Sequence, residues 1–289
     1  MKCFDCPVKC GADRTKGVGA CKAPWDLVVS HVDLHLWEEP CISGEKGTVA
    51  VFFGGCNLNC VFCQNNKISH GGNGKVLSFE ELKRLIDGLS TEASTVSFVT
   101  PSHYVRQLSE FLRRYKSEIS LPIVYNSGGY DDVDSLKLLN GLVDVYLPDF
   151  KYADEELAYK YGARKDYPQV ALNALKEMLR QQPSTEFDEK GIVQKGVLVR
   201  HLVLPDCLEN TQKVMEILAK TDKNIFVSLM AQYFPAVKDL PYENLRRTLT
   251  EDEYDEAVEI FFDAGLVNGF SQELTSAEDT FVPDFNLIK

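Results

Sequence analysis

Short hydrophobic runs alternate along most of the chain with longer amphipathic stretches. Residues 49–53, 95–99, 122–125, 143–147, 196–204 and 225–230 are nearly continuous apolar runs bounded by glycine, proline or polar turns, the pattern of strands buried on both faces. Residues 78–89, 104–115, 132–139, 155–161, 170–179, 211–219 and 251–264 read as helices. The first helix opens with Ser78 and Glu81, a capping box, and sets Phe79, Leu82, Leu85, Ile86 and Leu89 on one face. Six strands interleaved with helices predict an α/β fold with parallel pairing, because a helical crossover returns the chain to the same end of the sheet. Residues 25–40 form an extended arm in which Val28, Val29, Val32, Leu34 and Leu36 mostly alternate with polar positions. His31 and His35 lie in this arm, as metal ligands or as hydrogen-bonded structural residues. Residues 185–190 are polar and acidic and read as a loop.

Composition narrows the partners more than the fold. The chain has 289 residues, 44% hydrophobic and 26% charged, enough for a substantial core. A net charge of -12 and a pI near 5.0 argue against a nucleic-acid partner, whose phosphates need a basic face. No apolar run approaches the ~18 residues of a membrane span, and the start lacks a signal-peptide core, so a cytoplasmic protein with no membrane partner is expected. In that reducing setting the nine cysteines read better as metal ligands than as disulfides.

The cysteines fall into two groups. Cys3, Cys6, Cys10 and Cys21 sit in a polar, glycine-containing segment with little apolar surface of its own, where a tetrahedral metal supplies the framework. Structural zinc and a second iron-sulfur cluster both suit four thiolates, with plain reduced thiols as the alternative. Cys56, Cys60 and Cys63 follow the strand at 49–53 and the Gly54-Gly55 pair, so they share one loop at a strand's C-terminal end. Three thiolates at this spacing suit three irons of a four-iron cubane, leaving one iron open, or else a partial zinc site. Cys41 reads as a buried thiol or an extra ligand, and Cys207 has no assigned role.

The segment Cys56-Asn57-Leu58-Asn59-Cys60-Val61-Phe62-Cys63-Gln64-Asn65, with aromatic Phe62 before the third cysteine, resembles the signature of radical S-adenosylmethionine (SAM) enzymes. The resemblance implies an incomplete (β/α)6 barrel, here residues 46–289, behind a cysteine-rich metal-binding extension of residues 1–45. It also implies a 4Fe-4S cluster whose open iron binds SAM, and a reductant such as flavodoxin or ferredoxin. Reductive cleavage of SAM then gives a 5'-deoxyadenosyl radical that takes hydrogen from a substrate. Oxygen lability of such clusters implies an anaerobic setting.

From about residue 3 to 270 the chain is similar to the uncharacterised branch labelled pyruvate formate-lyase activating enzyme-like. Reactive groups of such folds gather at C-terminal strand ends. There Pro148-Asp149-Phe150-Lys151 resembles the Asp-x-Lys element of activating enzymes, whose lysine meets the SAM carboxylate. Arg200 in Val199-Arg200-His201-Leu202 resembles an arginine of the SAM site. As a charge within an apolar strand Arg200 needs an anionic partner, SAM or a protein carboxylate, and His201 by alternation faces the other way. Asn126, Ser127 and the Gly128-Gly129 turn suit a ligand-facing loop. Where many relatives carry Gly-Gly-Glu for the SAM amino group this chain has Thr100-Pro101-Ser102-His103, with Thr100 and Ser102 offering oxygens instead. His103 there is either catalytic or structural. Gln232 and Tyr233 are the expected substrate contacts, and Tyr125, Tyr130, Tyr152 and Tyr233 either wall the pocket or pack the rim.

The resemblance does not fix the substrate; its activating-enzyme version takes hydrogen from a backbone glycine of a large partner enzyme. The missing Gly-Gly-Glu, and the lack of a ferredoxin-like insertion after the cluster loop, keep a peptide- or small-molecule-modifying enzyme alongside. A non-catalytic iron-sulfur sensor is the remaining class, and it leaves Asp149, Lys151 and Arg200 without a purpose at one mouth.

Overall fold

A computed structural model of the chain describes residues 2–272 together with Leu274, Ala277 and Phe285. Its strands are β1 (Val28–His35), β2 (Thr48–Phe53), β3 (Lys75–Val76), β4 (Thr95–Val99), β5 (Ile123–Ser127), β6 (Val145–Pro148), β7 (Glu186–Phe187), β8 (Val193–Leu202), β9 (Phe226–Met230) and β10 (Gly269–Ser271). They form one sheet in the order β10-β9-β8-β6-β5-β4-β2-β1-β3, with β7 paired only to β8. The six predicted strands are β2, β4, β5, β6, β8 and β9, and they run parallel. Among the described residues the ends of the sheet do not pair with each other, so the curved sheet is an incomplete barrel.

Alternation within each strand divides two interiors. Val51 and Phe53 of β2, Phe98 of β4, Tyr125 of β5, Tyr146 of β6 and Val199 of β8 pack outward against the helices. Ala50, Phe52 and Val99 face the barrel lumen, as do Val124, Val145, Leu147 and Leu198. Burial on both sides is why these strands are continuous hydrophobic runs rather than alternating ones. The helix Phe79–Ser90 begins as predicted, with Ser78 accepting from the Glu81 N–H and Glu81 accepting from the Ser78 N–H. Thr250 and Glu253 repeat the device on Glu251–Asp263.

The residues ahead of the barrel are built into it. β1 pairs antiparallel with β2, and Cys21, Ala23, Leu27, Val28 and Val29 belong to the main core. The segment after β1, read as extended to residue 40, instead turns into a short helix, Pro40–Ser43. Proline suits that first helical turn because its missing N–H has no partner there anyway. Cys41 and Ile42 then pack among the lumen residues of β5, β6 and β8, and Thr95 donates to the Ile42 carbonyl at 3.0 Å. Arg14, 2% exposed, donates to the carbonyls of Ala23, Pro24 and His103 and lies 4.9 Å over the Tyr104 ring. The cysteine-rich segment is thereby clamped to the barrel.

Two further readings change. Residues 186–187, within the acidic loop, pair antiparallel with β8 because Phe187 gains an edge-on contact with Phe226. β10 extends the parallel set beyond six strands, a run too short and glycine-containing to stand out in the pattern.

Candidate active site

The C-terminal ends of β2, β4, β5, β6, β8 and β9 converge on one cavity of about 170 Å³. Cys56, Cys60 and Cys63 occupy one wall on the loop after β2, joined there by Phe62. Gly55 makes the loop possible: its φ of +86° is a glycine conformation, and a Cβ there would stand 2.3 Å from the Cys21 carbonyl oxygen. The same carbonyl accepts from the Cys56 N–H at 3.0 Å, so the loop leans on the N-terminal segment. Cys56 Sγ accepts from the Leu58 N–H at 3.4 Å, and Cys63 Sγ lies 3.3 Å from Ser69 Oγ. Phe62 is buried edge-on between Tyr161 and Tyr233.

Burial pushes the Cys60 thiol up to about 11, against the opposing pull of the Lys151 ammonium, and pushes Cys56 further up. Thiols in that state lose their protons when a metal takes them as thiolates. Soft sulfur donors on one loop, backed by a cation, fit an iron-sulfur cluster. Among the described residues no three His, Cys, Asp or Glu side chains converge tightly enough for one metal ion. Cubane thiolates bind separate corners, so their sulfurs stand apart.

The same cavity holds a network of charges. Asp149, at the end of β6, accepts from Lys151 Nζ at 2.5 Å and from Arg200 Nε at 2.9 Å. Arg200 also donates to Glu38 Oε2 at 3.1 Å and to Asn126 Oδ1 at 2.7 Å, and Asn126 Nδ2 donates to Glu38 Oε1 at 3.1 Å. Arg200 and Lys151 outweigh the cost of burial and hold Asp149 below the usual carboxylate range. The anionic partners that a buried Arg200 requires are thus two protein carboxylates. Gly129 permits the arrangement: with φ at +76°, its Cβ would fall 1.9 Å from the Asp149 carbonyl oxygen. His201 faces the other way as alternation predicts, contacting the Phe150 carbonyl and Thr211, and burial lowers its pKa to about 4.

Of the candidate SAM-binding residues, Phe62, Thr100, Asn126, Ser127, Asp149, Lys151 and Arg200 line the cavity. Ser102 does not: it is buried beside Tyr125 and Asp131, where its hydroxyl helps solvate a buried carboxylate. Thr100 has φ at +60°, an outlier for a β-branched residue, held by its N–H bond to the Asn126 carbonyl at 2.8 Å. Gln232 and Tyr233 reach the cavity as expected. The other three tyrosines do not wall it. Tyr125 bonds Asp131, Tyr130 bonds Asp166 and Tyr152 is fully buried, so all three are taken up in the packed interior rather than on the cavity. His103 is structural, 1% exposed with Nε2 2.9 Å from the Gly54 carbonyl. Cys41 is a buried thiol pushed up to about 12, and Cys207 is a core residue against Tyr161.

In the N-terminal segment Cys3, Cys6 and Cys21 are buried and Cys10 is exposed. Arg14 Nη1 lies 3.7 Å from Cys3 Sγ, a buried cation whose hydrogen bonds go to carbonyls and sulfur. Sequence reasoning did not foresee Glu38 and Glu39 inside the lumen. The signal was there in two adjacent acids just before Pro40 at the end of the arm.

Comparison with known proteins agrees with this geometry. The model of the radical SAM superfamily matches residues 50–187. An uncharacterised protein of Methanocaldococcus jannaschii is 30% identical over 266 residues, covering 89% of this chain and 73% of that protein. Streptococcus suis SuiB bound to S-adenosylmethionine superposes with a TM-score of 0.56 at 12% identity, over 80% of this chain and 52% of SuiB. Methylornithine synthase (PylB) gives 0.55 at 20% identity, over 76% of this chain and 63% of that enzyme. With the family match taking in the cysteine loop and the four strands β2, β4, β5 and β6, and the archaeal relative running over most of the chain, the chain belongs to the radical SAM superfamily.

Proposed function

We propose that this enzyme holds a 4Fe-4S cluster on Cys56, Cys60 and Cys63, cleaves SAM reductively there, and removes hydrogen from a substrate bound in the barrel lumen. The observation that carries the reading is the shared cavity, lined by three cysteines and by the Lys151–Asp149–Arg200 network. When bound, the cluster supplies the electron and the open coordination position. Lys151 offers a cation for a carboxylate beside Cys60, and Asp149 fixes it there. Thr100, Asn126 and Gly128 offer backbone and amide groups, while Phe62 and Tyr233 supply an apolar wall that keeps water from a radical.

Two substrate classes fit this chemistry. One is the backbone glycine of a partner enzyme, making this chain an activating enzyme. The other is a peptide or small molecule, favoured by Thr100-Pro101 where activating enzymes carry Gly-Gly-Glu. A low-potential donor such as flavodoxin or ferredoxin supplies electrons in an anaerobic, reducing compartment. Among the described residues no helix is long and apolar enough to cross a membrane. Cys3, Cys6, Cys10 and Cys21 we propose as a second metal site, zinc or iron-sulfur. In its support, buried Arg14 beside Cys3 gains an anionic counterpart once the thiols become metal-bound thiolates.

The test uses anaerobically reconstituted protein, SAM and a strong reductant, with 5'-deoxyadenosine and iron as readouts. Cys56, Cys60 and Cys63 all changed to Ala abolishes product. Iron retained in that variant assigns iron to the N-terminal site. Intact, cluster-loaded protein that neither binds SAM nor forms product refutes the enzyme and leaves the sensor.

A further inference from the structure

Beyond Arg200 the cysteine-lined cavity continues into an adjoining chamber of about 90 Å³, which shares Asn126, Arg200, Met230 and Gln232 with it. Its own lining includes His35, Trp37, Glu38 and Glu39. The charges do not balance. Two cations, Lys151 and Arg200, face Asp149 and Glu38 in direct ion pairs, which leaves Glu39 as a third carboxylate. Glu39 is 7% exposed, and among the described residues its buried Oε2 has no hydrogen-bond partner. A buried carboxylate oxygen in that state costs free energy unless it is protonated or meets a donor.

Among the described residues no group around Glu39 supplies that donor to Oε2. Arg200 of β8 attracts its charge but spends its hydrogen bonds on Asp149, Glu38 and Asn126. Glu38 repels it, and Ser228 of β9 offers a hydroxyl. His35 of β1 is pushed toward its neutral form by burial and by Arg200, and Cys41 of the plug helix is a neutral thiol. Burial therefore wins and pushes Glu39 up to about 7. We infer that Glu39, with Glu38 beside it, forms a substrate subsite for a protonated amine, placed in the lumen next to the SAM cavity. The inference rests on the proposed function only in naming that amine as part of the hydrogen-donating substrate. The other source of the same chemistry is the ammonium of SAM itself.

The experiment separates the two. In the cluster-loaded enzyme with Trp25→Phe, Trp37 is the remaining tryptophan and reports on the chamber. Its fluorescence is titrated anaerobically with n-butylammonium, with butyrate, and with SAM, at pH 6 and pH 8. The expected result is saturable binding of n-butylammonium, absent for butyrate. It tightens about tenfold from pH 6 to pH 8, as a group titrating near 7 goes from about one-tenth to about nine-tenths ionised. Glu39→Gln weakens the amine at pH 8 by at least about tenfold and flattens its pH dependence, whereas Glu39→Asp keeps the pH dependence. An equal response in Glu39→Gln, or equal binding of butyrate, overturns the subsite. Weakened SAM with unchanged amine overturns it too, by giving Glu39 to SAM. Failure of the proposed function looks different: wild type then binds the amine through Glu39 but yields no 5'-deoxyadenosine, and the subsite stands.

Discussion

Replacing Arg200 with methionine removes the hub of the polar lumen while keeping its length and apolar stem. Arg200, Asp149 and Glu38 have side chains 14%, 12% and 9% exposed, so the ion pairs are screened little by water. Removing one partner of a buried pair typically costs about 3–5 kcal/mol, because the charge left behind is uncompensated. Here the loss is at the lower end, about 3 kcal/mol at pH 8. Asp149 keeps Lys151 and Glu38 keeps the Asn126 amide, so each carboxylate is only partly orphaned. Urea unfolding of the metal-free protein under anaerobic conditions reads this directly as a change in midpoint at constant slope. Adding Glu38→Gln to Arg200→Met removes the stranded charge and restores part of the loss, a coupling measured by the double-mutant cycle. A loss below about 1 kcal/mol, or no recovery in the double variant, refutes the argument that these carboxylates are what Arg200 is buried for.

Further outcomes follow from the same geometry. Gly129→Ala forces a Cβ onto the Asp149 carbonyl at a positive φ, so it destabilises by more than about 2 kcal/mol in the same urea assay and weakens SAM binding. Glu39 titrates near 7 when folded against an ordinary 4.5. Its contribution is full below pH 4.5 and lost as pH rises through 7, a difference of order 3 kcal/mol by pH 8. Glu39→Gln removes that loss, and equal pH dependence of unfolding in wild type and variant would falsify the assignment. His201→Gln keeps the contacts of a neutral ring, so the pH profile of 5'-deoxyadenosine formation between pH 6 and 8 is unmoved. Arg14→Met lowers metal bound at the N-terminal segment, read as total metal in the protein that lacks Cys56, Cys60 and Cys63.

Periodicity determined much of this protein without the structure. Apolar runs broken by glycine and followed by amphipathic helices point to parallel strands with covered faces, and the Ser78 box places a helix start to the residue. The cysteine loop is also local, since its spacing, the preceding Gly54-Gly55 pair and Phe62 lie within one turn of chain. Alternation likewise put His201 opposite Arg200. Tertiary structure decided whatever depends on contacts between distant segments. Glu38 meets Arg200 across 162 positions, and no local pattern says that the arm carrying it turns into the lumen. Thr100 and Ser102 are two residues apart and chemically alike. The strained turn at Thr100 sends one to the cavity and the other to Asp131. The tyrosines at the strand ends were equally ambiguous, because a one-residue step exchanges lumen for helix face. The charge left over at Glu39 exists only once three strands and the arm have closed around it. The sequence therefore shows which chemistry the loop is built for, and packing alone shows where an unbalanced charge awaits a partner.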